Sequence, residues 1–216
     1  MTKISIDRLA VRLTRPFLVT GLATVGYHRV SLYFCLGAMG WHRHLDEDEL
    51  FLGYTGTTTV ETSWGDAALP PGHLVRVPKG LPHRCYSAAP TVVVLVQTRG
   101  LAGRRNGHQA HIGSTGQVEP VSLAQQAARI TDVYSPRRVA LADGLAISVQ
   151  VCLGAQDWHR HEGEQLILCH QGRLAVQSDG RDEVLGPGEL LVVATGKLHR
   201  VVSLEPATAV TMAEVG

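Results

Sequence analysis

The chain has 216 residues and a formal net charge of +1, a balance that gives no general pull toward nucleic acid or anionic membranes. With 44% hydrophobic and 18% charged residues it has the composition of a compact soluble protein, and no apolar run approaches the roughly 18 residues that would suggest a membrane span. Its opening, Met1-Thr-Lys-Ile-Ser, lacks the apolar stretch and small-residue cleavage site of a secretory leader, so the cytoplasm is the expected location.

Strand signals come first along the chain. Segments 30–36, 49–54, 57–62, 73–77 and 91–97 are short, rich in β-branched and aromatic residues, and bounded by Gly or Pro. A glycine-rich basic segment follows, from Arg99 to His111, and reads as a solvated linker. The run 120–130 has helix formers behind Ser122, a suitable N-cap, and predicts a short helix bridging two halves. Strands then return at 146–151, 165–168, 173–178, 189–194 and 201–204. Evenly spaced short strands of this kind predict an all-β sandwich or barrel in each half.

The second half repeats the first. Cys35-Leu-Gly-Ala-Met-Gly-Trp-His42-Arg-His44 recurs as Cys152-Leu-Gly-Ala-Gln-Asp-Trp-His159-Arg-His161, an offset of 117. Gly56 and His83 recur at an offset of 116 as Gly172 and His199, which places one extra loop residue of the first copy just before Glu49. A repeat of this length means duplicated domains, expected at 1–105 and 131–216 with the linker and its helix at 106–130. Cys35 and Cys152 hold equivalent positions among apolar neighbours and no Cys-x-x-Cys pair occurs, so buried reduced thiols are expected.

Residues two apart on a strand share a face, so His42 and His44 can project together into an interior. Glu49 begins the next strand, and His83 arrives on the segment Pro78-Lys-Gly-Leu-Pro-His; together the four form a three-histidine, one-carboxylate set. Such a set suits Fe(II), Mn(II), Ni(II), Co(II), Cu(II) or Zn(II), and leaves two positions of a six-coordinate ion open for substrate and O₂ or water. The second copy offers His159, His161, Gln165 and His199. Its amide brings no negative charge, which predicts weaker metal binding or an altered role, and Glu164 faces away unless a bulge turns it inward. Parity puts Phe51 and Cys85 in the first pocket, and Ile167, Cys169 and Val201 in the second. The same parity turns Arg43, Arg84, Arg160 and Arg200 outward, and Trp41 and Trp158 recur as exterior packing.

These residues resemble the cupin superfamily. Its first motif corresponds to His42-Arg-His44, Glu49 and Gly56, and its second to Gly72, Pro78, Gly80 and His83. Gly37 stands one residue closer to His42 than that pattern has it. The second copy fits with Gln165 for the ligating Glu and Ala194 for the Pro. The resemblance implies a bicupin, two small antiparallel β-barrels in one chain. It implies an Fe(II) dioxygenase held by His42, His44, Glu49 and His83, acting with O₂ on a small aromatic or carboxylate-bearing substrate. Manganese, nickel, zinc or copper in place of iron would suit an isomerase, lyase or decarboxylase, and a non-catalytic ligand-binding cupin is a third reading. No dedicated acid or base is identifiable, neither a nucleic-acid nor a membrane partner is expected, and the sequence allows a homo-oligomer.

Overall fold

The computed structural model describes residues 2–99, 106–107 and 116–215. Antiparallel strands dominate, and burial tracks side-chain alternation. Thr58–Thr62 runs buried, half-buried, buried, as expected of a strand with one face to the core. Glu49–Thr55 is buried over its first five residues, so both of its faces are covered.

The residues fall into two compact units, one of Leu9–Ala23 and Tyr27–Ser122, the other of Met1–Arg8, Thr24–Gly26 and Leu123–Gly216. Each is a small antiparallel β-barrel. In the first, Glu49–Thr55 lies between His73–Val77 and the long strand His83–Thr98, which pairs on its other edge with His28–Ala38. The hairpin of Thr58–Thr62 and Gly65–Leu69 docks on the start of the long strand, with Thr62 opposite His83. Tyr33, Phe51, Val60, Val75, Cys85 and Leu95 pack between these strands.

In the second unit, Gln165–Gln171 lies between Glu189–Val193 and Ala207–Glu214, and a separate sheet holds Arg181–Leu185, Leu174–Ser178 and His199–Ser203. Ile167, Cys169, Leu174, Val176, Leu191 and Val201 form the core that these sheets enclose. Fully burying an aliphatic side chain of this size contributes about 1.5–3 kcal/mol.

The leaders of the two halves correct the expected domain limits. Ile4–Ser5 is the edge strand beside Glu189–Val193, with Ile4 opposite Leu190, and Ile6 N donates to Gly188 O at 2.9 Å with its side chain fully buried. Residues 1–8 thus belong with the C-terminal half, because that sheet offers an open edge and an apolar seat for Ile6. The matching segment Val121–Ser122 pairs with Leu74 and His73 of the first unit. The helix expected over 120–130 spans only Leu123–Ala127 and belongs to the second unit, since Leu123 is fully buried there. A sister helix, Ile6–Ala10, was not anticipated. Ser5 caps it, accepting from Arg8 N at 3.4 Å, and stands 117 residues before Ser122; carrying the repeat offset back to the N-terminus would have found it.

Strands Thr20–Val25, Gly65–Leu69, Arg137–Ala142, Arg181–Leu185 and Ala207–Glu214 were also missed, their polar or alanine-rich sequences giving little β signal. Of the basic segment Arg99–His111, only Arg99, Asn106 and Gly107 are among the described residues, so the linker reading lies outside them. No helix among the described residues is long and apolar enough to cross a membrane.

Candidate metal centre

The first cluster is built by three pieces of backbone. His42 and His83 face each other across an isolated bridge, His42 N donating to His83 O at 3.1 Å and His83 N to His42 O at 2.8 Å. The turn before His83 is fastened to the His-x-His segment by Gly80 N, which donates to His44 O at 2.6 Å. Gly80 has φ +82°, a conformation that side-chain-bearing residues avoid, and the space around it is open. Glu49 opens the neighbouring strand and is 3% exposed. Ligand-type atoms of His42, His44, Glu49 and His83 all lie within 4.8 Å of one another.

Hydrogen bonds orient the rings. Nδ1 of His42 and of His83 each sit 2.9 Å from a carbonyl, those of Gly40 and Leu81, and Nδ1 of His44 is 2.9 Å from Asn106 Oδ1. Three acceptors on three Nδ1 atoms select the Nδ1–H tautomer and turn the bare Nε2 lone pairs inward. His83 Nε2 lies 2.7 Å from Glu49 Oε2, and His44 Nε2 lies 3.2 Å from Glu49 Oε1. Two lone pairs cannot face each other at 2.7 Å without a cation between them, whether a proton or a metal ion.

The titration behaviour agrees. Burial alone would raise the Glu49 carboxyl, but hydrogen bonds and charge from His44 and His83 overcome it and hold it far below the ordinary carboxylate range. His42 is lowered by burial and by the nearby His83. Gln97 donates from Nε2 to Glu49 Oε1, which fixes the carboxylate plane. The donor set, its inward aim and the close approach of the buried His83 Nε2 and Glu49 Oε2 fit a divalent transition metal.

A cavity of about 320 Å³ adjoins the ligands, with His42, His44 and Glu49 in its wall. Phe51 and Cys85 line it, with Val19, Met39 and Leu95 adding apolar surface. Tyr33 donates to Cys85 Sγ at 3.2 Å, and burial pushes that thiol up to about 12 and Tyr33 well above its usual value, so both stay protonated at neutral pH. Arg29 and Gln97, opposite each other on paired strands, supply the remaining polar lining. Sequence reasoning missed Tyr33, Arg29, Gln97 and Asn106. Val30 and Leu32 are buried on the opposite face of Arg29's strand, so parity could not tell the cavity side from the other.

The second cluster keeps the histidines without the carboxylate. His159 and His199 exchange backbone hydrogen bonds of 3.0 Å each way, Gly196 N donates to His161 O at 2.9 Å, and the three rings' nitrogens lie within 4.8 Å. Gln165 stands beside His161, whose pKa is lowered chiefly by burial. Glu164 does not turn inward: its Oε2 accepts from Gly26 N at 3.0 Å. Ile167 and Cys169 are fully buried in the apolar core of this unit. The arginines after the last histidines face outward, Arg84 over Trp41 at 5.2 Å and ion-paired with Glu61, Arg200 over Trp158 at 4.9 Å. All four cysteines are free and buried.

Comparison with known proteins agrees with this geometry. Residues 153–213 match the model of the cupin domain, and no curated protein matches the chain. Among solved structures, the chain is similar to a cupin 2 conserved barrel domain protein from Leptotrichia buccalis. That pair has a TM-score of 0.77 and 11% identity, covering 99% of this chain and 96% of the other. It is also similar to a salicylate 1,2-dioxygenase from Pseudaminobacter salicylatoxidans, with a TM-score of 0.74, 10% identity, and coverage of 91% and 76%. A mutant of that enzyme in complex with gentisate gives a TM-score of 0.81 at 10% identity, covering 97% and 79%. At such identities the likeness establishes fold. Residues 153–213 match the cupin domain, and the chain as a whole has the fold of these structures, with a histidine cluster in each half.

Proposed function

We propose that the first half is a non-haem Fe(II) dioxygenase centre for a small, carboxylate-bearing, preferably aromatic substrate. The observation that carries this reading is a cavity of about 320 Å³ that joins His42, His44 and Glu49 of the four-residue cluster to a cationic side chain, Arg29. Fe(II) held by His42, His44, Glu49 and His83 would supply open coordination positions for substrate and O₂ and the electrons that pass between them.

The protein's own residues do the rest. Arg29 pairs with the substrate carboxylate through charge-assisted hydrogen bonds and sets which end of the molecule faces the ligands. Phe51, Leu95, Met39 and Val19 provide an apolar wall that packs the substrate body and keeps water out. Gln97 holds the Glu49 carboxylate in one plane. Neither Tyr33 nor Cys85 serves as a base, since both are held protonated. The bound gentisate of the structural neighbour, itself an aromatic carboxylate, supports this substrate class.

The test is metal analysis of the purified protein, followed by oxygen uptake by the Fe(II)-reconstituted form over catechols, hydroxybenzoates and small keto acids. Uptake should be strongest with hydroxybenzoates. Arg29→Ala should raise KM about 10- to 100-fold with a smaller change in kcat, the effect of losing a hydrogen bond to a charged group worth about 1.5–3 kcal/mol. Tightly bound zinc or nickel with no oxygen uptake would overturn the reading.

A further inference from the structure

We infer that Asn106 is a positioning residue of the first metal centre, supplied from outside the barrel motifs. The inference rests on the metal reading of His42, His44, Glu49 and His83, though not on any particular reaction. Of the three ligand histidines, His42 and His83 have their Nδ1 atoms anchored by carbonyls two residues earlier in the chain, Gly40 and Leu81. Those anchors come with the local turn and cannot be lost by substitution. His44 differs. Its Nδ1 is 2.9 Å from Asn106 Oδ1, a side chain 62 residues away, and the Glu47 carboxylate stands farther off at 3.7 Å.

The backbone around Asn106 is shaped for this contact. Asn106–Gly107 forms a two-residue antiparallel strand with Arg43–His44, Asn106 opposite His44 and Gly107 opposite Arg43. A Cβ on Gly107 would lie 2.6 Å from Arg43 Nε, so the absence of a side chain there lets the strand lie flat on Arg43. In the second cluster His159 and His199 keep the same carbonyl anchors, those of Asp157 and Lys197, yet no strand pairs with Arg160–His161 among the described residues. Asn106 thus anchors the one ligand ring of the first site that a carbonyl two residues earlier does not.

An imidazole whose Nδ1–H is held by an acceptor presents Nε2 as a lone pair in a fixed direction and is a better ligand. Loss of such an outer partner typically costs 10- to 100-fold in metal affinity. Asn106 is solvent-exposed, so replacing it does not disturb a core.

The experiment is titration of the metal-free protein with Co(II), followed by its visible absorption, in a His159→Ala, His161→Ala background that leaves only the first site to report. Asn106→Ala should weaken Co(II) binding about 10- to 100-fold and alter the absorption envelope, while Asn106→Asp, which keeps the acceptor, should bind at least as tightly as Asn106 itself. Equal affinity for Asn106→Ala and the parent would overturn the inference while leaving the metal site standing. Weakening by Asp equal to that by Ala would show a role in shape rather than in holding Nδ1, and would also overturn it. No Co(II) binding by the parent would overturn the metal reading itself.

Discussion

The two histidine clusters share a scaffold and differ in chemistry. In each, the first and last histidine exchange backbone hydrogen bonds, a glycine of positive φ ties the turn to the His-x-His segment, and carbonyls two residues back hold the same two Nδ1 atoms. Ring separations agree closely, 4.4 Å between His42 and His83 against 4.3 Å between His159 and His199. What changes is the set of charged and polar groups around the rings. Gln165 stands for Glu49, and at the repeat offsets Ala146, Gln150 and Ala213 stand for Arg29, Tyr33 and Gln97. The backbone turns that aim the histidines survived duplication, while every group that gives the first cavity its charge was replaced. A shared fold preserves the aim of ligands and leaves the chemistry free to diverge.

The largest expected effect comes from exchanging the one residue that most separates the clusters. Glu49→Gln gives the first site the donor set of the second. If four ligands share a binding free energy of about 10–16 kcal/mol, the loss of one is worth about 3 kcal/mol, or roughly 100-fold in affinity. Gln165→Glu should tighten the second site, by less, because Ala213 stands there in place of Gln97, whose amide orients Glu49 in the first site. Isothermal titration with Co(II) or Zn(II) checks both, and an unchanged affinity of Glu49→Gln would remove the basis of the comparison.

The shared turns give the next effect. Gly80→Ala and Gly196→Ala each force a side chain into a positive-φ conformation, φ +82° and +69°, at a cost of about 1–2 kcal/mol. Urea unfolding should show nearly equal losses for the two variants. A loss confined to one would mean that the turns are not equivalent.

Acid should produce the smallest difference. His42 in the first cluster and His161 and His199 in the second are lowered mainly by burial, so below about pH 6.5 the unfolded chain binds more protons and stability falls as pH falls until the folded values are passed. Glu49 works over a lower window: its folded pKa is depressed, so its contribution is complete above about pH 4.3 and is lost only as pH falls through the folded value. Chelator-treated protein should therefore show its melting temperature beginning to fall just below pH 6.5, and Gln165→Glu should blunt that fall. A melting temperature flat from about pH 7 to 5 would contradict this.

By itself the sequence determined the duplication, the all-β class and the residues of both histidine clusters. All of these rest on short-range regularities: a repeated decapeptide, period-two alternation, and glycines at turns that only a positive φ can make. Tertiary structure alone decided the rest. Ile4–Ile6 completes the sheet of the other half because an open edge and an apolar seat are there, and nothing in Met1-Thr-Lys-Ile-Ser signals its partner. Arg29 and Gln97 meet across two strands whose opposite faces are both buried, so polarity along the chain could not mark the cavity. Asn106 reaches His44 over 62 residues. Contacts between distant segments depend on register and edge pairing, and those are settled only when the whole barrel closes its hydrogen bonds and buries its core.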